Sequence, residues 1–336
     1  MVDGADDAAL LAAVDGLCAS RQWDVLEDLA RRCRDALELG KQLWGVATHI
    51  DYRLALEGPA AYAARTLVPG AGRFALGPLT EVAASTHTWA ELAKHLEHPI
   101  TAAAVATERA IRGEDLRGEA SHLPAELPLA LAAWEPRYAL PRYRDRSARF
   151  PAPPAGGELS GTPERLPSPE AVGIAGHGEP GGARALAETV STWATQSSGE
   201  VRVAAVEGPV ESAIAALARD VVRTPLSPAD SLALLQWAGA SGGAQGQRPG
   251  GAAGRFSAWW AAAALTGIEW PEEGDEEFAD SLGEAIAELE WVRWRRPEPE
   301  AGWVLRMAVA DPPNDLAWAV EATDIAEDVD VLGEED

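Results

Sequence analysis

From Asp6 to about Arg117, apolar residues recur at steps of three and four, the period of helices that bury one face. The clearest stripe is Trp23, Leu26, Leu29, Cys33 and Leu37, from which Asp24, Glu27, Asp28, Arg31, Arg32 and Arg34 are mostly turned away. Breaks at Gly40, Gly58-Pro59, Pro69-Gly70, Gly77-Pro78 and His98-Pro99 cut this stretch into about seven helices joined by short turns. Thr88 and Glu91 have the spacing of a capping box opening the segment TWAELAKHL: the threonine oxygen takes an orphan N–H and the glutamate reaches back to the backbone. WDVLEDLARR and WAELAKHLEH share a tryptophan, two leucines and a basic end, a faint repeat in a helical-repeat-like domain.

The helical pattern stops between Leu123 and Gly182, where prolines punctuate the chain. Residues 134–150 (WEPRYALPRYRDRSARF) are aromatic and basic and are expected to run extended over a surface. Residues 151–182 have the composition of a flexible linker. Farther on, alternation with period two marks strands at 200–207 (EVRVAAVE), 289–296 (LEWVRWRR), 302–310 (GWVLRMAVA) and 316–323 (LAWAVEAT), the last three joined by PEPEA and DPPND, links suited to antiparallel neighbours. Their alternation is good enough to bury one face of a sheet. Helices are expected at 184–195, 210–222, 228–237, 257–265 and 276–288. The fold class is α+β: an all-α helical-repeat-like domain over 1–122, an Arg/aromatic segment and Pro/Gly linker over 123–182, an acidic α+β domain with a small, mainly antiparallel sheet over 183–326, and an acidic tail over 327–336.

With 336 residues, 47% of them hydrophobic, the chain can build a core in about two domains and is not disordered as a whole. Its net charge of -25 is unevenly spread, -4 in the first 150 residues and -21 in the remainder, which disfavours general affinity for nucleic acid or anionic lipid and leaves cationic partners. Residues 269–290 hold ten acids and no base, and residues 321–336 hold eight and none. Cys18 and Cys33 cannot make a disulfide framework or a four-thiolate zinc site and read as small buried hydrophobes. Met1–Ala8 carries three aspartates and no base, unlike a secretory signal, and the apolar stretch 258–268 is too short for a membrane span, so a cytoplasmic location is expected.

Several patterns invite a chemical reading. Gly239-Ala240-Ser241-Gly242-Gly243 fits G-x-S-x-G, but a nucleophile elbow needs a strand before the serine and a later histidine, whereas SLALLQWA is helical and the last histidine is His177. The surrounding loop, GASGGAQGQRPGGAAGR, could offer backbone donors and Arg248 or Arg255 to an anion at the start of a helix near Phe256. It lacks the GK[ST] of a P-loop, and a mobile loop is the plainer reading. His87, His95 and His98 stand near Glu91 and Glu97, yet Pro99 ends the helix that would align them, and no metal site or cofactor is expected. Asp311, Asp315, Glu321 and Asp324 at strand ends could hold a hard cation or act as acid and base, although turn chemistry accounts for Asp311 and Asp315. No catalytic residue is assigned.

Arg137, Arg142, Arg144, Arg146 and Arg149, interleaved with Tyr138, Tyr143 and Phe150, have the makeup of a nucleic-acid strip. The strongly acidic sequence downstream favours docking within the protein over nucleic-acid binding. Trp259 and Trp260 are adjacent on a helix and cannot point the same way, so one of them is expected to meet another domain or a partner.

The helical first half, the phrase WEPRYALPRYRDRSARFPAP and the tryptophan-rich ending together resemble a family of uncharacterised conserved proteins of high-GC bacteria. The helical half is also similar in rhythm to HEAT-like solenoids, which implies protein binding in general and no residue-specific role. The expected function is that of an adaptor, scaffold or regulatory partner acting on another protein with a basic surface. The alternatives are an enzyme with an inter-domain site using scattered carboxylates or the glycine-rich loop, and an acidic mimic of nucleic acid.

Overall fold

The computed structural model describes residues 7–38, 42–72, 74–154, 162–167, 181–271 and 276–325. Most of the expected linker, at 155–161 and 168–180, and the whole expected tail lie outside the described residues. The chain forms two units: residues 1–133, 139–152 and 248–252 make the first, and residues 134–138, 153–247 and 253–336 make the second.

The first unit carries α1 (Asp7–Ala19), α2 (Trp23–Glu38), α3 (Trp44–Glu57), α4 (Ala60–Thr66), α5 (Leu79–Thr86), α6 (Trp89–Leu92) with a 3-10 turn at Ala93–His95, and α7 (Pro99–Ile111). Leu10, Val14, Cys18, Leu26, Cys33 and Ile50 pack into a core among α1, α2 and α3. Within it, burial pushes the Cys18 thiol up to about 11. Tyr52, Leu56, Val82, Trp89, Leu92, Val105 and Leu116 make a second core. The Thr88 N–H donates to the Glu91 carboxylate at 2.8 Å, as the capping box requires. Pro99 opens α7, where its missing N–H is no loss. The faint repeat does not extend to structure: WDVLEDLARR lies on a sixteen-residue helix, whereas WAELAKHLEH makes one turn and a 3-10 piece. Pro99 biases His98 away from the helical region, and His98 is indeed extended.

The Arg/aromatic segment folds as a hairpin, β1 (Arg142–Arg144) against β2 (Ser147–Arg149), with Tyr143 opposite Ala148. The Tyr52 hydroxyl donates to the Arg144 carbonyl, and Arg146 pairs with Asp15 of α1.

The second unit carries β3 (Glu164–Arg165), α8 (Gly181–Thr189), α9 (Ser191–Thr195), β4 (Glu200–Glu207), α10 (Val210–Leu217), β5 (Asp220–Leu226), α11 (Pro228–Ala240), α12 (Gly251–Thr266), α13 (Glu276–Ala287), β6 (Glu290–Arg295), β7 (Trp303–Asp311) and β8 (Leu316–Asp324). Gly251 and Ala252, at the start of α12, belong to the first unit. The strands form one sheet in the order β3-β5-β6-β7-β8-β4, every pair antiparallel.

Two differences from the sequence reading have physical causes. The expected helix 210–222 ends at Leu217, and Asp220–Leu226 is a strand instead. Pro225 argues locally against a strand, but it pairs with Val292 of β6, and among the described residues β3 pairs only with Asp220 and Val221, so no ladder partner stands opposite Pro225 on that side there. Secondly, the sheet is buried on both faces. Ala308, Ala310, Ala317 and Ala319 take Val210, Ala213 and Ile214 of α10 on one side, their small side chains letting the helix approach. Trp291, Met307, Val309, Trp318 and Val320, of opposite parity, are buried on the other, where α8 lies against Trp318 at Gly182.

Ser227 caps α11 by accepting the Asp230 N–H at 3.1 Å. Ser227→Ala is expected to lower stability by about 1 kcal/mol in urea unfolding; a change under ~0.3 kcal/mol would show the cap to be idle.

Candidate functional site

The glycine-rich loop is held in place. Ser241 is a buried residue directly after α11, so no strand precedes it. Its Oγ accepts the Gly243 N–H at 3.1 Å, and its carbonyl accepts Trp193 Nε1 and Thr192 Oγ1, both at 3.2 Å. The Ala244 N–H donates to Asp324 Oδ2 at 2.6 Å, the Gln245 N–H to Ser197 Oγ at 3.0 Å, and the Gln247 N–H to Gln196 Oε1 at 3.3 Å. The loop donates through the Gly243, Ala244, Gln245 and Gln247 N–H groups and accepts at the Ser241 carbonyl, all within the same unit. Gly243 has φ +75°, and a Cβ there would overlap the Asp324 carboxylate. Gly243→Ala is expected to cost about 1–2 kcal/mol from the left-handed backbone alone. A thermal midpoint equal to that of the parent would contradict this.

In the first unit, α12 opens at Gly251, six residues before the start of the helix expected at 257–265. Its first donors meet carboxylates of the protein itself: the Gly251 N–H reaches Glu81 Oε1 at 3.0 Å, and the Ala252 N–H reaches Glu108 Oε1 at 2.6 Å. Glu81, fully buried on α5, also takes Arg248 at 3.0 and 3.1 Å and the Tyr143 hydroxyl at 2.6 Å. Glu108 on α7 takes Arg112 at 2.6 Å. The arrangement that the sequence suggests for an external anion is thus occupied by internal ones, which favour a helix N-terminus for the same reason. Burial works to raise Glu81, but the Arg248 charge and hydrogen bonds outweigh it and hold the carboxyl below its ordinary value. Burial and the charge of Glu81 raise Glu108. At Gly250, φ is +100° and Pro78 stands 2.9 Å from where a Cβ would lie, so this turn requires glycine.

Arg255 belongs to a different cluster, in the second unit. Its guanidinium and the Glu135 carboxylate are both fully buried and meet at 2.8 and 2.6 Å. Trp259 Nε1 donates to Glu135 Oε1 at 2.9 Å, and the Tyr138 hydroxyl donates to the same oxygen at 2.8 Å. Arg137 is exposed in this unit, whereas Arg142, Arg144, Arg146 and Arg149 are exposed on the hairpin of the first, with Tyr143 turned inward to Glu81.

Three of the acids in and between the last strands, Asp311, Glu321 and Asp324, have internal partners as well. Strand register places Arg202, Arg306 and Glu321 in one row, and Glu321 receives Arg202 at 3.2 Å, Arg296 at 2.7 Å and Arg306 at 2.8 Å. Asp311 accepts Asn314 Nδ2 at 2.7 Å. Among the described residues no group of three or more His, Cys, Asp or Glu side chains is placed to hold a metal ion, and no helix is long and apolar enough to cross a membrane.

Among the surface grooves of the described residues, two bring together side chains of chemical interest. One, of 470 Å³ on the first unit, is bordered by Lys94, Glu97, Glu119 and His122 around Trp89 and Leu96. The other, of 340 Å³ on the second unit, is lined by Phe256, Ser257 and Trp260 of α12 and by Glu188 and Thr189 of α8. The adjacent tryptophans divide as helix geometry demands: Trp259 is 0% exposed and Trp260 37%. Trp260 Nε1 donates to Glu188 Oε2 at 3.0 Å, and Trp270 packs edge-on against both Trp260 and Phe256, at 5.6 and 5.4 Å between centroids. Phe278 of α13 touches Trp270 at 5.3 Å, while Glu277 and Asp280 beside it are exposed.

Glu81, Glu108, Glu135 and Glu188 were not singled out in the sequence. Glu108 alone left a trace there, since it stands three residues from both Val105 and Ile111 on the apolar stripe of α7, where a carboxylate must find an internal partner.

Comparison with curated proteins finds no match, and comparison with solved structures finds none either. A family described as "Family of unknown function (DUF6183)" matches residues 8–325, nearly the whole chain. The chain therefore belongs to the DUF6183 family of unknown function.

Proposed function

We propose that the protein is a protein–protein interaction module, an adaptor, scaffold or regulatory partner, whose second unit offers an aromatic and acidic surface to a partner with a basic face. The observation that carries this reading is Trp260, a large indole exposed in a groove whose neighbouring helix displays carboxylates in a run of sequence without a base. Exposed tryptophans anchor interfaces because they bury much apolar area at small entropic cost, and flanking charge selects the partner and speeds encounter. A cytoplasmic setting in a high-GC bacterium belongs to the same proposal; the presence of only two lysines, Lys41 and Lys94, in an alanine- and arginine-rich chain supports the high-GC origin.

Affinity capture by the tagged full chain at low and moderate salt tests the proposal. One stoichiometric protein retained at low salt and lost with Trp260→Ala is the expected result; equal recovery by both forms would overturn the role of this surface. The enzyme alternative, which the sequence places at an inter-domain site with scattered carboxylates or the glycine-rich loop, would instead have its pocket in the groove at Lys94 and His122. It predicts a small metabolite that raises the melting temperature, because a ligand of the folded state stabilises it.

A further inference from the structure

We propose that the groove at Trp260 seats one cationic side chain, an arginine or lysine presented by an extended basic segment of the partner. The inference rests on the preceding reading of the second unit as a protein-binding surface and names the chemistry that the surface selects.

Three features of the groove converge on a cation. The first is ring geometry. Trp270 meets Trp260 at 61° and Phe256 at 64° between ring planes, so the aromatic walls are packed through edges. Edge packing leaves part of a ring's electron-rich face available, and an ammonium or guanidinium within about 6 Å of an indole centroid is drawn to that face. The second is the rim carboxylate. Glu188 holds Trp260 Nε1 through Oε2 at 3.0 Å, which fixes the indole, and carries Arg184 on Oε1 at 2.7 Å. The Arg184–Glu188 pair has side-chain exposures of 68% and 42%, so it is solvent-screened and readily exchanged for an incoming guanidinium. Arg184 is the i,i+4 neighbour of Glu188 on α8, so the pair shows only that this carboxylate can accept a guanidinium. The third is the field around it. Phe278 ties the first turns of α13 to the aromatic cluster, and Glu277, Asp280 and Glu284 are exposed on that helix. An anionic segment would be repelled, and a purely aliphatic one would make no use of Glu188.

Size points the same way. At 340 Å³ the groove lies at the small end of the about 300–1,000 Å³ typical of small-molecule sites, enough for one long side chain.

The test is a titration of the full chain, followed by tryptophan fluorescence and repeated by calorimetry, with an arginine octapeptide and with glutamate and glutamine octapeptides as controls. The variants are Trp260→Ala, Glu188→Gln and, as a charge control away from the groove, Glu290→Gln on β6. The expected result is saturable binding of the arginine peptide alone, weakened about tenfold by Trp260→Ala and severalfold by Glu188→Gln, and changed less than about twofold by Glu290→Gln. Trp260 is on the surface and Glu188→Gln keeps its shape, so circular dichroism should be unaltered in both. If the arginine peptide binds all four proteins alike, the seat is refuted while an acidic interaction surface stands. If no peptide binds, both the seat and the basic-partner reading fall. Binding of the glutamate peptide would overturn the charge argument itself.

Discussion

Glu135→Ala should destabilise the second unit by about 3–5 kcal/mol, the usual cost of breaking a buried ion pair from one side. The Arg255 guanidinium would keep its charge while losing the 2.6 and 2.8 Å contacts to Glu135, and the Trp259 and Tyr138 donors that converge on Glu135 Oε1 would lose that acceptor. Burial pushes the Tyr138 hydroxyl well above its ordinary value, so it stays a neutral donor at every relevant pH. The indoles of Trp134 and Trp259, 4.7 Å apart, lie within the cluster and make tryptophan emission a local reporter of urea unfolding. The double variant Glu135→Leu/Arg255→Met should recover a large part of the loss, because apolar groups of similar volume need no partner. A single variant losing under ~1 kcal/mol would mean that water replaces the carboxylate at Arg255.

The second large effect is expected at Glu81, and its signature is pH dependence. Held below its ordinary value of 4.5 in the folded state, Glu81 contributes stability that is present above the unfolded value and lost as pH falls through the folded one. Glu81→Gln should therefore cost about 3–5 kcal/mol near neutrality, since Arg248 is left buried without its carboxylate, and the cost should shrink as the parent itself becomes protonated in acid. Glu108 has the opposite sign. Its folded value is raised, so its favourable contribution is present at low pH and disappears as pH rises through that value. In Glu108→Gln the Ala252 N–H keeps an oxygen acceptor, and Arg112 keeps the Glu108 and Glu81 carbonyls at 2.8 and 3.3 Å. This variant should be the milder of the two and should compare progressively better with the parent as pH increases. Hydrogen exchange of the α5 and α7 amides, followed between about pH 4 and 8, separates the two cases. Parallel pH profiles for parent and Glu81→Gln would remove the Arg248 pairing as their cause.

Local signals located much of the second unit. Strands β4, β6, β7 and β8 stand where period-two alternation places them, although in the fold β7 and β8 bury most of their residues on both faces and β4 buries only Val206. Helices α11 and α13 begin at the expected residues, Pro228 and Glu276. Strand β5 escaped, since its proline contradicts its valines until a neighbouring strand supplies the pairing. The glycine-rich segment misled for a related reason. Glycines permit both a mobile loop and a pinned one, and the choice is made by Gln196, Ser197 and Asp324, up to eighty residues away along the chain. Trp260 was legible as half of an indole pair. That it and not Trp259 faces outward depends on which side of α12 receives Trp134 and Phe278.

By itself the sequence determined the α+β class, the helix breaks at glycine and proline, the capping box at Thr88, the alternating strands and the crowding of acid into the later half. These follow from propensity, period and charge, which act over a few residues or need no geometry at all. Only the tertiary structure decided that Arg248 meets Glu81, that Arg255 meets Glu135, that Glu321 gathers three arginines and that Glu188 steadies Trp260. A carboxylate chooses its partner by distance and burial, and neither exists for residues 15 to 167 positions apart until the chain has folded.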